Sequence, residues 1–317
     1  MNVNDRDQWQ KDLAARINTA DGDFKYEEDN ALAEISELDT TWSRIKNMLK
    51  TNHLAMASLI VIIFFIVVAV LAPWITPCDP YEIDLPNRAM GPSKEHWLGT
   101  DEFGRDVLSR LMMGSRVSLI VGLVPTTLSM TIGVILGLTA GYIGGKVDFI
   151  IMRIADVALA FPSLLFAMLV SYTIGQNLLT IFIALSIISW AGTARVIRSL
   201  TLQLREKEFV EAAVSIGVKR STIMFKHILP NCVPTLIVLF TMNVPGNILS
   251  ESSLSFLGVG AQPPSTSWGL MVNKMKEFLA RQPVGTLAPG VVILILVLAF
   301  NFLGDGLRDA IDPTLKD

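Results

Sequence analysis

Few residues in this 317-residue chain combine type and spacing in a way that could do chemistry. The closest approach to a phosphate-binding loop is Ala140-Gly141-Tyr142-Ile143-Gly144-Gly145-Lys146-Val147. Such a loop opens on a Gly, and a Ser or Thr after its Lys holds magnesium. Ala140 and Val147 stand at those two positions, so the stretch reads as a Gly-rich turn and the chain is not expected to bind ATP. Gly258-Val259-Gly260 begins like a dinucleotide fingerprint, but Pro263 occupies the third Gly position. His53, His96 and His227 lie far apart in sequence, and no Ser/His/Asp set or Gly-x-Ser-x-Gly elbow occurs. The expectation is therefore a chain with no catalytic residue, no metal ligand and no cofactor of its own. A membrane-embedded enzyme is the rival class, and it would need a titratable pair at mid-membrane depth that the sequence lacks.

The polar groups that remain are embedded in apolar runs. Leu54 to Ile75 carries no charge over 22 residues and Val117 to Ile143 none over 27. At 1.5 Å rise per residue, roughly 20 residues cross a hydrocarbon core of about 30 Å. Val157 to Ala194 adds 38 uncharged residues, divided by Gly175-Gln176-Asn177 into two spans joined by a tight hairpin. The predicted spans are about 54–75, 117–143, 154–174, 178–194, 232–256 and 286–303, with a polar loop over 199–231. A composition that is 51% hydrophobic and 17% charged agrees with an all-α integral membrane protein. The first run starts too late and is too long for a cleaved signal peptide.

Charge is segregated along the chain. Residues 1–40 hold eleven acids and four bases, whereas 41–53 hold Arg44, Lys46 and Lys50 with no acid. This reads as an acidic tail over about 1–50, ending in a basic collar at the membrane surface. With both termini in the cytoplasm, 18 of the 26 Lys and Arg fall on the inner side, which sets the expected orientation. Cys78 then lies near the outer surface and Cys232 near the inner one, so no disulfide and no thiol-based metal site is implied.

Within the spans, Gly133 and Gly137 are four apart, a stripe that would let another helix approach closely. The alternative is a set of glycines tolerated on a lipid-facing surface. Asp156 with Arg153 reads as an interfacial pair. Charge at the bilayer centre costs about 2.5–3.5 kcal/mol on insertion scales, so Glu251 should face protein or water. The fifth span is interrupted by Pro234, Asn243, Pro245, Gly246 and Asn247. Asn243, Asn247, Glu251 and Ser252 either line a solute pathway or belong to a structural kink.

One polar stretch is built as a helix, a turn and a second helix: Glu211 to Asn231. Ala212 and Ala213 permit close approach, Gly217 can take φ > 0 and end the first helix, Ser221 can cap the second and Pro230 can close it. This elbow resembles the coupling loop of ABC-importer permeases. Their signature is Glu-Ala-Ala, three residues, Gly, nine residues, Ile, any residue, Leu-Pro, from which this chain departs only in placing His227 at the Ile position. The ending His227-Ile228-Leu229-Pro230-Asn231 is similar to the oligopeptide/dipeptide branch. So are His96-Trp97-Leu98-Gly99-Thr100-Asp101 with Gly104-Arg105-Asp106, the segment Gly141 to Asp148, Glu251 to Gly258, and Asn301 to Asp309.

The resemblance implies a six-helix permease of the ABC type I importer kind, the C-type chain of a peptide importer in a prokaryotic cytoplasmic membrane. It implies a homologous second permease chain, one or two cytosolic ABC ATPase subunits that hold the ATP and magnesium, an extracytoplasmic solute-binding protein, a lipid bilayer and no nucleic acid. Glu211, Ala212, Ala213, Gly217, Lys219, Arg220 and Ser221 would meet the ATPase. Nickel complexes, glutathione or another small solute are alternative cargoes of the same architecture.

Overall fold

The computed structural model describes residues 41–311, so the acidic tail up to residue 40 lies outside the described residues. Two units are distinguished, 1–47 and 48–317. Of the first, only the start of α1 (Thr41–Thr51) is described, which makes the last residues assigned to the tail helical. Among the described residues of the second unit, everything regular is helical apart from a single bridge between Thr100 and Asp106.

Helix α2 (His53–Ile75) starts where the Asn52 side chain accepts hydrogen bonds from the N–H groups of Leu54 and Ala55 at 3.1 and 3.0 Å. It buries a face of small and medium residues, Ala55, Ser58, Ile62, Ala69 and Ala72, and leaves Ile60, Phe64, Val70 and Trp74 exposed. That exposed apolar surface suits lipid, which has no water to satisfy irregular backbone. Helix α3 (Val107–Ile143) begins ten residues before the uncharged run, because Asp106 caps it by accepting from Ser109 N–H at 2.7 Å.

The span expected over 154–174 is broken near its middle and begins earlier, at residue 145. Helices α4 (Gly145–Ala160) and α5 (Ser163–Ile174) meet at 85°. The cause is local: Pro162 disfavours helical geometry at the residue before it, and Phe161 is extended. Helix α6 (Leu178–Arg205) runs eleven residues past its expected end at 194. The charges that end the apolar run there are paired along the helix. Arg195 reaches Asp156 at 2.5 Å, and Arg198 forks onto Asp148, with Nη2 to Oδ2 at 2.6 Å. Asp156 also meets Arg153 at 3.5 Å, so the expected interfacial pair is a triad.

A short helix α7 (Glu208–Ser215) follows, then α8 (Arg220–Phe256), a segment with α9 (Trp268–Met275), and α10 (Pro283–Ile311). Among the described residues, five helices are long and apolar enough to cross a bilayer, and the bent α4–α5 pair makes a sixth when counted as one span.

Among the described residues the most extensive helix contact is between α3 and α6. A Cβ on Gly133 would lie 2.7 Å from the Trp190 carbonyl oxygen, on Gly137 2.6 Å from that of Ala194, and on Gly141 2.8 Å from that of Arg198. Three glycines spaced by four thus sit on three carbonyls spaced by four, and the small-residue stripe is a helix-packing surface.

Candidate functional site

The elbow is built from α7 and the start of α8. Helix α7 ends in a Schellman turn: Val218 N–H donates to Ala213 O and Gly217 N–H to Val214 O, both at 3.0 Å. Gly217 has φ +76°, and no atom lies within 4 Å of where its Cβ would be. The sequence requirement at this position is therefore backbone conformation and not space.

The two alanines play different parts. Ala213 is buried with Val210, Ile223, Ile228 and Cys232 against Leu138 of α3 and Ile197 of α6, whereas Ala212 is exposed. Only Ala212 is free to meet another protein; Ala213 binds the elbow to its own chain. Glu211, Lys219, Arg220 and Ser221 are exposed, as is the neighbouring Ile216, 81% accessible. Isolated surface apolar residues are ordinary, but Ile216, Val214 and Phe209 expose apolar surface on one short helix and its cap. Beside them a recess of about 540 Å³ is lined by Tyr142, Arg205, Glu211, Val214, Ser215 and Arg220. Arg205 donates there to the last carbonyls of α3, Gly141 and Tyr142, at 3.4 Å.

Two details of the expected second helix are corrected. Lys219, not Ser221, is the N-cap residue, and Ser221 lies inside the first turn without a capping bond. Pro230 does not close the helix. Over Ile223–Ile228 the backbone is wound as a π-helix, and Leu229 N–H reaches back to Met224 O. The widened turn carries the rod past Pro230, which has no N–H to give. Within the polar loop expected over 199–231, only 206–207 and 216–219 lie outside helices.

The residues expected to line a pathway separate in the same way. Asn247 is buried and its amide donates to Thr126 Oγ1 of α3 at 2.8 Å. Glu251 is fully buried, accepting from Ser255 Oγ at 2.6 Å, while Ser255 Oγ accepts from Ala261 N–H at 3.0 Å. Of the alternatives the sequence left open, both side chains take the packed one: they lie inside the chain, with Glu251 Oε2 buried and without a hydrogen-bond partner. Ser252 is nearly buried, and a Cβ on Gly269 would lie 2.6 Å from its carbonyl. Asn243 is half-buried and shares the accessible face of α8 with Gly246, Ser250 and Ser253. The sequence reading missed the last two, although their spacing, 243, 246, 250 and 253, is that of one helix face.

On the 76–106 segment, Asp101 is the hub. Its Oδ1 accepts from Phe103 and Arg105 N–H at 2.8 and 3.0 Å, and its Oδ2 meets Arg105 Nε and Arg110 Nε at 2.7 and 3.1 Å. This frame holds His96 Nδ1 3.0 Å from Asp106 Oδ1. It also brings Cys78 beside them, with the three ligating atoms within 4.8 Å of one another. The sequence implied no thiol-based metal site, because Cys78 and Cys232 were expected on opposite membrane faces; the folded segment instead brings Cys78 to a histidine and an aspartate. Across the molecule's other long connection, Trp268 is fully buried, its indole N–H donating to Leu111 O at 2.9 Å and its ring edge-on to Phe65.

Comparison with known proteins agrees with this architecture. The family described as the binding-protein-dependent transport system inner membrane component matches residues 133–317. The N-terminal transmembrane domain of oligopeptide transport permease C matches residues 40–92. A dipeptide transport system permease protein of Alkalihalophilus pseudofirmus is 43% identical over 275 residues, 87% of this chain and 90% of that protein. A glutathione transport system permease protein of Escherichia coli is 42% identical over 286 residues, 90% of this chain and 94% of that protein. A solved methionine ABC transporter in inward-facing conformations shares the fold, with a TM-score of 0.53 at 18% identity, covering 64% of this chain and 96% of the matched chain.

Proposed function

This chain belongs to the family of binding-protein-dependent transport system inner membrane components, and from that premise we propose that it forms half of the pathway of an ATP-driven peptide importer. The chain itself is the permease subunit. Its ATPase, second permease chain and extracytoplasmic binding protein are separate molecules in this reading. ATP and magnesium stay on the ATPase, and both termini of this chain lie in the cytoplasm.

The observation that carries the proposal is the elbow: an exposed apolar tip at Ile216, raised on a helix whose other face is fixed by Ala213 and Val210 to α3, α6 and α8. A partner that seats Ile216 and Ala212 pushes on all three long helices at once. Because α3 and α6 touch along the Gly133–Gly137–Gly141 stripe, they travel together instead of deforming. Shifting a two-state packing from 1:99 to 99:1 takes about 5.5 kcal/mol of differential binding. The open face of α8 at Asn243, Gly246, Ser250 and Ser253 is the surface proposed to meet the solute between the two permease chains.

Peptides are the proposed cargo, supported by the dipeptide relative and by the oligopeptide permease match over 40–92. Glutathione is a second reading, favoured by the Escherichia coli relative. Uptake of labelled dipeptide and labelled glutathione, measured with the chain present and deleted, separates the two. The coupling role is tested by copurification: tagged chain should bring down an ABC ATPase, and an Ile216→Asp variant should lose it while remaining in the membrane. Retention of the ATPase by that variant would remove the elbow from the interface.

A further inference from the structure

We propose that Cys78, His96 and Asp106 form a binding site for one divalent cation of the zinc class. A thiol, an imidazole and a carboxylate are a donor set for a borderline-soft ion, with Zn–S about 2.3 Å and Zn–N and Zn–O about 2.0–2.2 Å. Ligand atoms at those bond lengths sit roughly 3.5 Å apart around a tetrahedral ion. Here the Sγ, imidazole nitrogen and carboxylate oxygen already lie within 4.8 Å of one another, and His96 Nδ1 to Asp106 Oδ1 is 3.0 Å. Small side-chain rotations bring them onto one ion. Three protein ligands leave the fourth position to water.

Each ligand is oriented by bonds of its own, as metal sites require. The second oxygen of Asp106 accepts from Ser109 N–H at 2.7 Å, and Ser109 Oγ accepts from Cys78 N–H at 3.1 Å. The His96 carbonyl accepts from Ser93 and Gly99 N–H at 2.8 and 2.9 Å, and Gly99 takes φ +78° to close that turn. The surroundings are electronegative: the carboxylates of Glu82 and Glu95 act on Cys78 together with Asp106, and their charge attracts a cation. The ligands come from three places, the chain just after α2, the turn at 93–99, and the cap of α3. A bound ion would therefore clip the end of α2 and the turn to the start of α3.

The test uses the full-length chain in detergent, dialysed against zinc, with bound metal measured per chain. About one zinc per chain is expected. Cobalt(II) as a spectroscopic probe should give a thiolate charge-transfer band and the visible bands of a tetrahedral centre. Both signals should vanish in Cys78→Ala and persist in Cys232→Ala, whose thiol is fully buried elsewhere. His96→Ala should weaken binding at least tenfold. A measurement on the unaltered protein guards against a misfolded variant: zinc should slow alkylation of Cys78 by a maleimide at least tenfold. Absence of saturable binding, a cobalt spectrum indifferent to Cys78→Ala, or alkylation unaffected by zinc would each overturn the proposal.

Discussion

Gly137 of α3 rests directly on the backbone of Ala194 in α6: a Cβ at position 137 would stand 2.6 Å from the Ala194 carbonyl oxygen. The obstacle is main chain, which cannot rotate away. Gly137→Val should therefore push the two helices apart at a cost of about 1–3 kcal/mol, in the range of other overpacked cores. The midpoint of thermal unfolding in detergent should fall. Gly192→Ala on the exposed side of α6, with no atom within 4 Å, should leave it unchanged or raise it slightly. Equal behaviour of the two variants would mean that the stripe does not hold the helices together.

Gly217 answers to a different constraint. Its φ of +76° sits in open space, so conformation and not volume selects the residue. Gly217→Asn, which tolerates left-handed backbone, should retain most uptake. Gly217→Val should insert normally but uncouple ATP hydrolysis from transport. Uptake assays with ATPase measurements on reconstituted complex check both.

Ile216 is so exposed that polar replacement should cost the chain little stability, within about 0.5 kcal/mol as for other surface sites. Ile216→Asp should unfold at the temperature of the parent protein and fail to support uptake. A parallel loss of folding would assign Ile216 to the chain's own packing.

The accessible face of α8 should be sensitive to bulk in function alone. Ser250→Leu should block uptake while the complex assembles and hydrolyses ATP. Asn247→Leu should instead lower stability, because it leaves Thr126 without the 2.8 Å donor that crosses from α8 to α3. Normal uptake by Ser250→Leu would move the pathway to another face.

Glu102 on the 76–106 segment gives a pH dependence with a definite sign. Burial, followed by the neighbouring Asp101, raises its pKa above the ordinary carboxylate value, outweighing a backbone hydrogen bond and the charges of Arg105 and Arg110. The folded state thus holds the Glu102 proton more tightly than the unfolded state does. Its contribution to stability is fully present below the unfolded pKa and declines as pH rises through the folded one. Glu102→Gln should narrow the difference in unfolding temperature between mildly acidic and mildly alkaline buffer. A wider difference would reverse the assignment.

The membrane spans were legible because lipid imposes one strong rule, long uncharged helices, and the chain obeys it. The turn at Gly217 was legible because left-handed backbone selects glycine. The 85° bend at Phe161-Pro162 was hidden inside an uncharged run, where hydropathy reports burial in lipid but not direction. The extension of α6 to Arg205 was obscured by charges whose partners, Asp148 and Asp156, lie some 40 to 50 residues away. Asn247 and Glu251 have the polarity of solute contacts, and only the positions of Thr126 and Ser255 assign them to the interior. Cys78, His96 and Asp106 lie 18 and 10 residues apart and are neighbours only in the folded chain.

The wide turn over Ile223–Ile228 sets an azimuth. Each residue of an α-helix advances the chain by roughly 100° about the axis. The surplus residue absorbed there therefore fixes the compass bearing of the elbow against the polar face that begins at Asn243. Removing one residue from this stretch would swing the elbow around the rod more than it shortened it. Cysteine cross-linking between position 216 and a docked ATPase should disappear in such a deletion even though every contacting side chain is still present.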